Sequence, residues 1–224
     1  MLIKDRMVSP VLTVDPKTSV HDALALMQSR RIRRLPVVQR GRLVGIVTWT
    51  DVMRASPSHA TSLSAWEIPQ LLMHEQVGQI MSRELITVVP TATIEHAAVL
   101  MRRYKIGGLP VAEHGQLVGL ITESDLFDAF IDLMGLRSGG ARLTIELPDR
   151  IGALDDVVHA VRDCDVRIRS LAAYPVDGGT QMVIRVDTPY PLHVVQTLIE
   201  RGINVINLAP LPSEPAEVRD SAVS

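Results

Sequence analysis

Shifted by 74 positions, residues 7–52 align with residues 81–126 without a gap, and 17 of the 46 aligned positions are identical. Met7 falls on Met81, Pro16 on Pro90, Leu35-Pro36-Val37 on Leu109-Pro110-Val111, and Leu43-Val44-Gly45 on Leu117-Val118-Gly119. A repeat this dense restricts the fold to two like supersecondary units. Each unit reads as βαββ. Leu12-Thr13-Val14 is a short β segment stopped by Pro16, which cannot donate to a ladder. Ser19, matched by Thr93, stands as a helix N-cap. Val20, Ala23, Leu24, Met27 and Ile32 then recur at helical spacing, as do Ile94, Ala97, Ala98 and Met101. Pro36 opens a strand through Val37-Val38. Arg40-Gly41 and His114-Gly115 are hairpin turns. A strand over Leu43–Thr48 follows, and a second helix begins near Asp51. A unit this small cannot cover its own apolar sheet face, so the two copies are expected to pack against each other.

Both copies close on the same pattern, Gly45-Ile46-Val47-Thr48-Trp49-Thr50-Asp51 and Gly119-Leu120-Ile121-Thr122-Glu123-Ser124-Asp125. A buried strand there runs into a helix N-terminus, whose free N–H groups and partial positive charge suit a phosphate. The hydroxyls can add hydrogen bonds, and a carboxylate can accept from both hydroxyls of a ribose. The same residues also suit plain helix capping.

These repeats resemble CBS domains, and the pair resembles a Bateman module. The resemblance implies two crossed clefts that bind an adenosine-type nucleotide: AMP, ADP, ATP or S-adenosylmethionine. One cleft would combine Ile32, Arg33 and Arg34 with Thr122, Ser124 and Asp125. The other would combine Ile106, Gly107 and Gly108 with Thr48, Thr50 and Asp51. Arginines line the first lip and glycines the second, so the first is expected to prefer phosphate-bearing ligands. The run Arg30-Arg31-Ile32-Arg33-Arg34 reads first as a solvated helix end, where cations favour the dipole, then as a phosphate contact, and only last as a nucleic-acid contact.

The repeats are joined by a linker over 57–76, in which Ser64–Ile68 and Leu71-Leu72-Met73 are amphipathic and Trp66 is placed to pack. This long insertion resembles that of the acetoin utilisation protein B group. Repeat 1 spans 1–56 and repeat 2 spans 77–135. Gly139-Gly140 marks a hinge before a third unit over 141–210.

That unit reads as a strand over Arg142–Leu147, a helix over Ala153–Arg162 with Leu154, Val157, Val158 and Val161 on one face, and strands over Val166–Val176 and Thr180–Asp187 about Asp177-Gly178-Gly179. A helix over Leu192–Arg201 capped by Gly202 and a strand over Ile203–Leu208 complete it. The order βαββαβ is ferredoxin-like. The fold class is therefore α/β (α+β), two CBS-type repeats plus a ferredoxin-like unit. The third unit resembles an ACT domain. Its loop Asp149-Arg150-Ile151-Gly152-Ala153-Leu154 corresponds to the family's amino-acid-binding loop, with Ile151 in place of the usual proline. The resemblance implies a homodimer, amino-acid sensing, or both. The tail over 211–224 is rich in Pro, Glu and Ser and is expected to be disordered.

Composition excludes several classes. Net charge is −2, against the large positive excess of a general nucleic-acid binder. No apolar run approaches the ~18–20 residues that span a bilayer, and nothing apolar follows Met1–Arg6 as a signal peptide would require. Cys164 is the only cysteine, in keeping with a reducing cytoplasm, and its neighbours Asp163 and Asp165 oppose a reactive thiolate. The seven histidines form no His-x-x-x-His pair, and there is no Walker loop or Gly-x-Ser-x-Gly elbow, so neither a metal site nor an enzyme is expected. The expected function is a non-catalytic sensor, with a link to acetoin metabolism implied by the group resemblance. The alternative is a ligand-free structural or partner-binding subunit of a metabolic enzyme.

Overall fold

The computed structural model describes residues 1–55 and 75–211. The expected amphipathic linker with Trp66, and the tail beyond Leu211, lie outside the described residues. The chain divides into two compact units, Met1–Phe127 and Asp128 onward.

In the first unit each repeat is a helix, a β-hairpin and a second helix. Repeat 1 has α1 (Val20–Ser29), β1 (Arg34–Gln39), β2 (Arg42–Thr48) and α2 (Trp49–Ala55). The short helix α3 (Val77–Ile80) opens repeat 2, followed by α4 (Ile94–Tyr104), β3 (Gly108–Glu113), β4 (Gln116–Thr122) and α5 (Glu123–Leu133), which starts in the first unit and continues past its end at Phe127. Ser19 and Thr93 cap α1 and α4 through hydrogen bonds to the N–H groups of Asp22 and His96. Arg40-Gly41 and His114-Gly115 make the two tight hairpin turns with positive φ at both residues of each.

Three expectations need correction. The first β segment is a single parallel bridge, Val14 to Val37 and Val88 to Val111, because the chain touches the hairpin at one point only. Strands β1 and β3 start at Arg34 and Gly108, ahead of the prolines. Helix α1 stops at Ser29, so Ile32 is not on it: Arg31 takes φ 50°, and its counterpart Lys105 takes φ 55°. Of the expected stripe, Val20, Ala23 and Met27 are buried and Leu24 and Ile32 only partly so.

The N-terminal arm of each repeat lies on the other repeat. Ile3 is fully buried and donates its N–H to Ala92, and Ile94 donates to the carbonyl of Met1. Val8 bridges to Leu120 of β4, and Ser82 bridges to Ile46 of β2. The core of repeat 1 is completed by Val77 and Met81. The Met7 side chain crosses Gly119 and that of Met81 crosses Gly45, so closely that a Cβ at either glycine would collide with the methionine. The identity of these four residues in both copies follows from that crossing.

The second unit is a four-stranded antiparallel sheet in the order β6-β7-β5-β8, with β5 (Gly140–Leu147), β6 (Ile168–Val176), β7 (Gly179–Val186) and β8 (Asn204–Leu211). Helices α6 (Ala153–Asp163) and α7 (Leu192–Glu200) cover one face through Val157, Ala160, Val161, Val194 and Leu198. This is the ferredoxin-like order. Gly140 begins β5 rather than a free hinge. The buried stripe of α6 is Ala153, Val157, Ala160 and Val161, with Leu154 and Val158 partly in solvent. The small Ala153 and Ala160 take inward positions, and the larger Leu154 and Val158 face outward.

Gly119→Ala is expected to cost about 1–3 kcal/mol by overpacking against Met7. Urea unfolding checks this, and shortening the neighbour in a Met7→Ala background should reduce the penalty of the alanine.

Candidate functional site

The strand–helix junctions are held by reciprocal bonds. In repeat 1 the Thr48 N–H and hydroxyl both donate to Asp51 Oδ2, at 2.8 and 2.6 Å, and the Asp51 N–H donates to Thr48 Oγ1 at 3.3 Å. In repeat 2 the Thr122 groups donate to Asp125 Oδ2, each at 2.7 Å. Helix capping is thus realised in both copies, and it uses one carboxylate oxygen of each aspartate. The start of each helix is also tied to the loop before the Pro-Val strand. Trp49 N–H donates to the Arg33 carbonyl at 2.8 Å, and Glu123 N–H to the Gly107 carbonyl at 3.2 Å.

Two clefts open at these junctions, and each draws on both repeats. The first, about 610 Å³, is bordered by Ile32, Arg33 and Arg34 on one side and by Thr122, Ser124 and Asp125 on the other. The second, about 1110 Å³, brings Ile106, Gly107 and Gly108 to Thr48, Thr50 and Asp51. All twelve residues singled out in the repeats therefore border a cleft.

The clefts differ from expectation in charge. The arginines are not confined to the first: Arg31, Arg33 and Arg34 border both. Arg34 lies against Gly107 and Gly108, where a Cβ would strike its guanidinium. The glycine lip is therefore the seat of an arginine from the other repeat. Burial lowers the pKa of Arg34, the facing Glu123 carboxylate opposes this, Arg33 adds to the lowering, and Asp125 opposes it. A guanidinium remains charged regardless.

One wall was not singled out in the sequence. Val8, Pro10, Val11 and Leu12 line the first cleft, and Ser82, Glu84, Leu85 and Ile86 line the second. They are the same stretch one repeat apart, carried across by the crossed arms. None of these positions is identical between the copies, so the identity pattern passes over them. The first cleft has an apolar wall, while the second carries Glu84 together with Arg54 and Lys105.

In the second unit the loop Asp149–Leu154 does not converge on one point. Arg150 is paired with Asp156, Ile151 is fully exposed, Gly152 has φ 86°, and Ala153 is buried in the core. Only Asp149 of the six borders the nearby cleft of about 590 Å³, beside Glu146 and the Asp177–Gln181 turn. Cys164 lies at the core edge with its Sγ 3.4 Å from Thr197 Oγ1. Among the described residues no group of His, Cys, Asp and Glu could hold a metal, and no helix is long and apolar enough to cross a membrane.

The CBS domain model matches residues 3–58 and again 77–132, the two repeats. The chain belongs to the CBS domain family. A CBS domain-containing protein of Dictyostelium discoideum is 33% identical over 136 residues, covering 60% of this chain and 94% of that protein. The inosine-5′-monophosphate dehydrogenase of Korarchaeum cryptofilum is 37% identical over 166 residues, covering 73% of this chain. The chain spans only 29% of that enzyme's length, so the CBS pair is one part of a larger protein there. A solved structure described as an acetoin utilization protein from Vibrio cholerae superposes with a TM-score of 0.51 at 30% identity, covering 61% of this chain and 94% of that one.

Because Asp125 Oδ2 closes the α5 cap of the CBS pair, Asp125→Ala is expected to lower stability by about 0.5–2 kcal/mol even without ligand. Asp51→Ala should do the same for α2, and thermal melting of the free protein measures both.

Proposed function

We propose that this protein is a non-catalytic sensor whose CBS pair binds an adenosine-type ligand: AMP, ADP, ATP or S-adenosylmethionine. The observation that carries the reading is the first cleft, where arginines of one repeat face the Thr122-x-Ser124-Asp125 turn of the other beside an apolar wall. Each part matches a part of the ligand. Val8, Val11, Leu12 and Ile32 offer an apolar surface to the base. Asp125 can accept ribose hydroxyls through the oxygen that the cap does not use. Arg33 and Arg34 can pair with phosphate oxygens, and the α5 N-terminus favours negative charge. A cleft of this size is in the range of small-molecule sites.

In this reading the ferredoxin-like unit is an ACT-like domain that dimerises the chain or senses an amino acid, and the protein works in the cytoplasm. The likeness to the Vibrio protein supports a place near acetoin metabolism. Binding would act on a regulated enzyme by favouring one domain arrangement, to the extent of the ligand's differential affinity. The engaged caps favour a second reading, in which the Thr–Asp pairs only hold helices and the chain regulates a partner by contact.

Calorimetric titration with AMP and ATP separates these. Asp125→Ala and Arg34→Ala are each expected to weaken binding to the first cleft by about 1.5–3 kcal/mol, the worth of a charge-assisted hydrogen bond. Asp51→Ala should leave that cleft's affinity unchanged. Wild-type protein that binds no adenosine compound would leave the contact-only reading.

A further inference from the structure

Alternation along the strands of the second unit sends Leu143, Ile145, Met182, Ile184 and Val186 to the helices. It therefore sends Arg142, Thr144, Val183 and Arg185 to the opposite face. Arg142 of β5 and Arg185 of β7 are direct cross-strand partners on the two central strands.

Arg185 is only 9% exposed, and its Nε is buried without a hydrogen-bond partner. Arg142 donates to the Thr144 hydroxyl at 2.8 Å. Among the described residues no carboxylate pairs with either guanidinium. Burial lowers the pKa of Arg185, and the Arg142 charge lowers it further.

This is an arrangement a folded chain ordinarily avoids. Like charges directly opposed across strands destabilise a sheet, and burying a cation without a counter-charge is unfavourable. A buried guanidinium nitrogen without a protein acceptor is one that a bound oxygen can satisfy. An oxyanion between the two forks removes all three penalties, since guanidinium matches carboxylate and phosphate in a bidentate manner.

We propose that Arg142 and Arg185 form an oxyanion site on the sheet face opposite α6 and α7, for a ligand carrying a phosphoryl or carboxylate group. Neither arginine borders a CBS cleft or belongs to the Asp149–Leu154 loop.

The test uses the full chain in chloride, with inorganic phosphate or acetate added at constant ionic strength. Hydrogen–deuterium exchange of peptides covering β5 and β7 reports on this site apart from the clefts. In wild type, millimolar anion should slow exchange in both peptides severalfold, and in Arg185→Met it should not. Arg142→Gln should weaken the response without abolishing it, while Arg34→Ala should leave it intact. A response to phosphate alone supports a phosphoryl ligand, and a response to both supports a carboxylate as well. In chloride alone Arg185→Met should melt no lower than wild type, because it removes an uncompensated charge. An equal anion response in Arg185→Met, no response in wild type to either anion, or a much lower melting temperature of Arg185→Met in chloride would overturn the assignment.

Discussion

Everything in the CBS pair depends on the exchange of N-terminal arms. Neither two-stranded hairpin has enough strands to stand alone in water. Ile3 is buried beneath repeat 2, and Val77 and Met81 fill the core of repeat 1. Each arm also adds an antiparallel bridge to the far hairpin, Val8 at Leu120 and Ser82 at Ile46. The same crossing carries Val8–Leu12 and Ser82–Ile86 to the mouths of the clefts. Packing and site formation are therefore one event, because the residues that close the core lead straight into the residues that wall the pockets.

The features legible in the sequence are those set by local chemistry. Ser19 and Thr93 announce their caps because a hydroxyl there can take an orphan N–H. Arg40-Gly41 and the Asp177–Gly179 stretch announce turns because positive φ favours glycine. The hairpins and the βαββαβ order follow from those marks and from apolar spacing. The end of α1 at Ser29 was illegible because a non-glycine residue, Arg31, takes the left-handed conformation just beyond it. The outward turn of Leu154 and Val158 was illegible because helical spacing also fits a stripe through them, and the helix buries Ala153 and Ala160 instead.

The site divides in the same way. The Thr48–Asp51 and Thr122–Asp125 turns are short motifs and could be read directly. Their placement opposite the other repeat's loop came from family likeness, since no local rule contains it. The seating of Arg34 on Gly107 and Gly108 escaped because it is a contact between residues more than seventy positions apart. A glycine pair in a sequence suggests flexibility or room for a ligand. Here the room is filled by a side chain of the same protein, so the two clefts differ less at their lips than in the walls behind them.

The crossed arms also change what the connection between repeats has to do. Each half carries a piece that completes the other, so the described core of the pair is built by exchange between the repeats. A covalent connection between them keeps the halves at high effective concentration. Two separate chains broken between the repeats would still hold complementary surfaces, and would reassemble as a heterodimer whose stability falls on dilution. In that sense the duplicated half is an obligate dimer that has been made into one molecule.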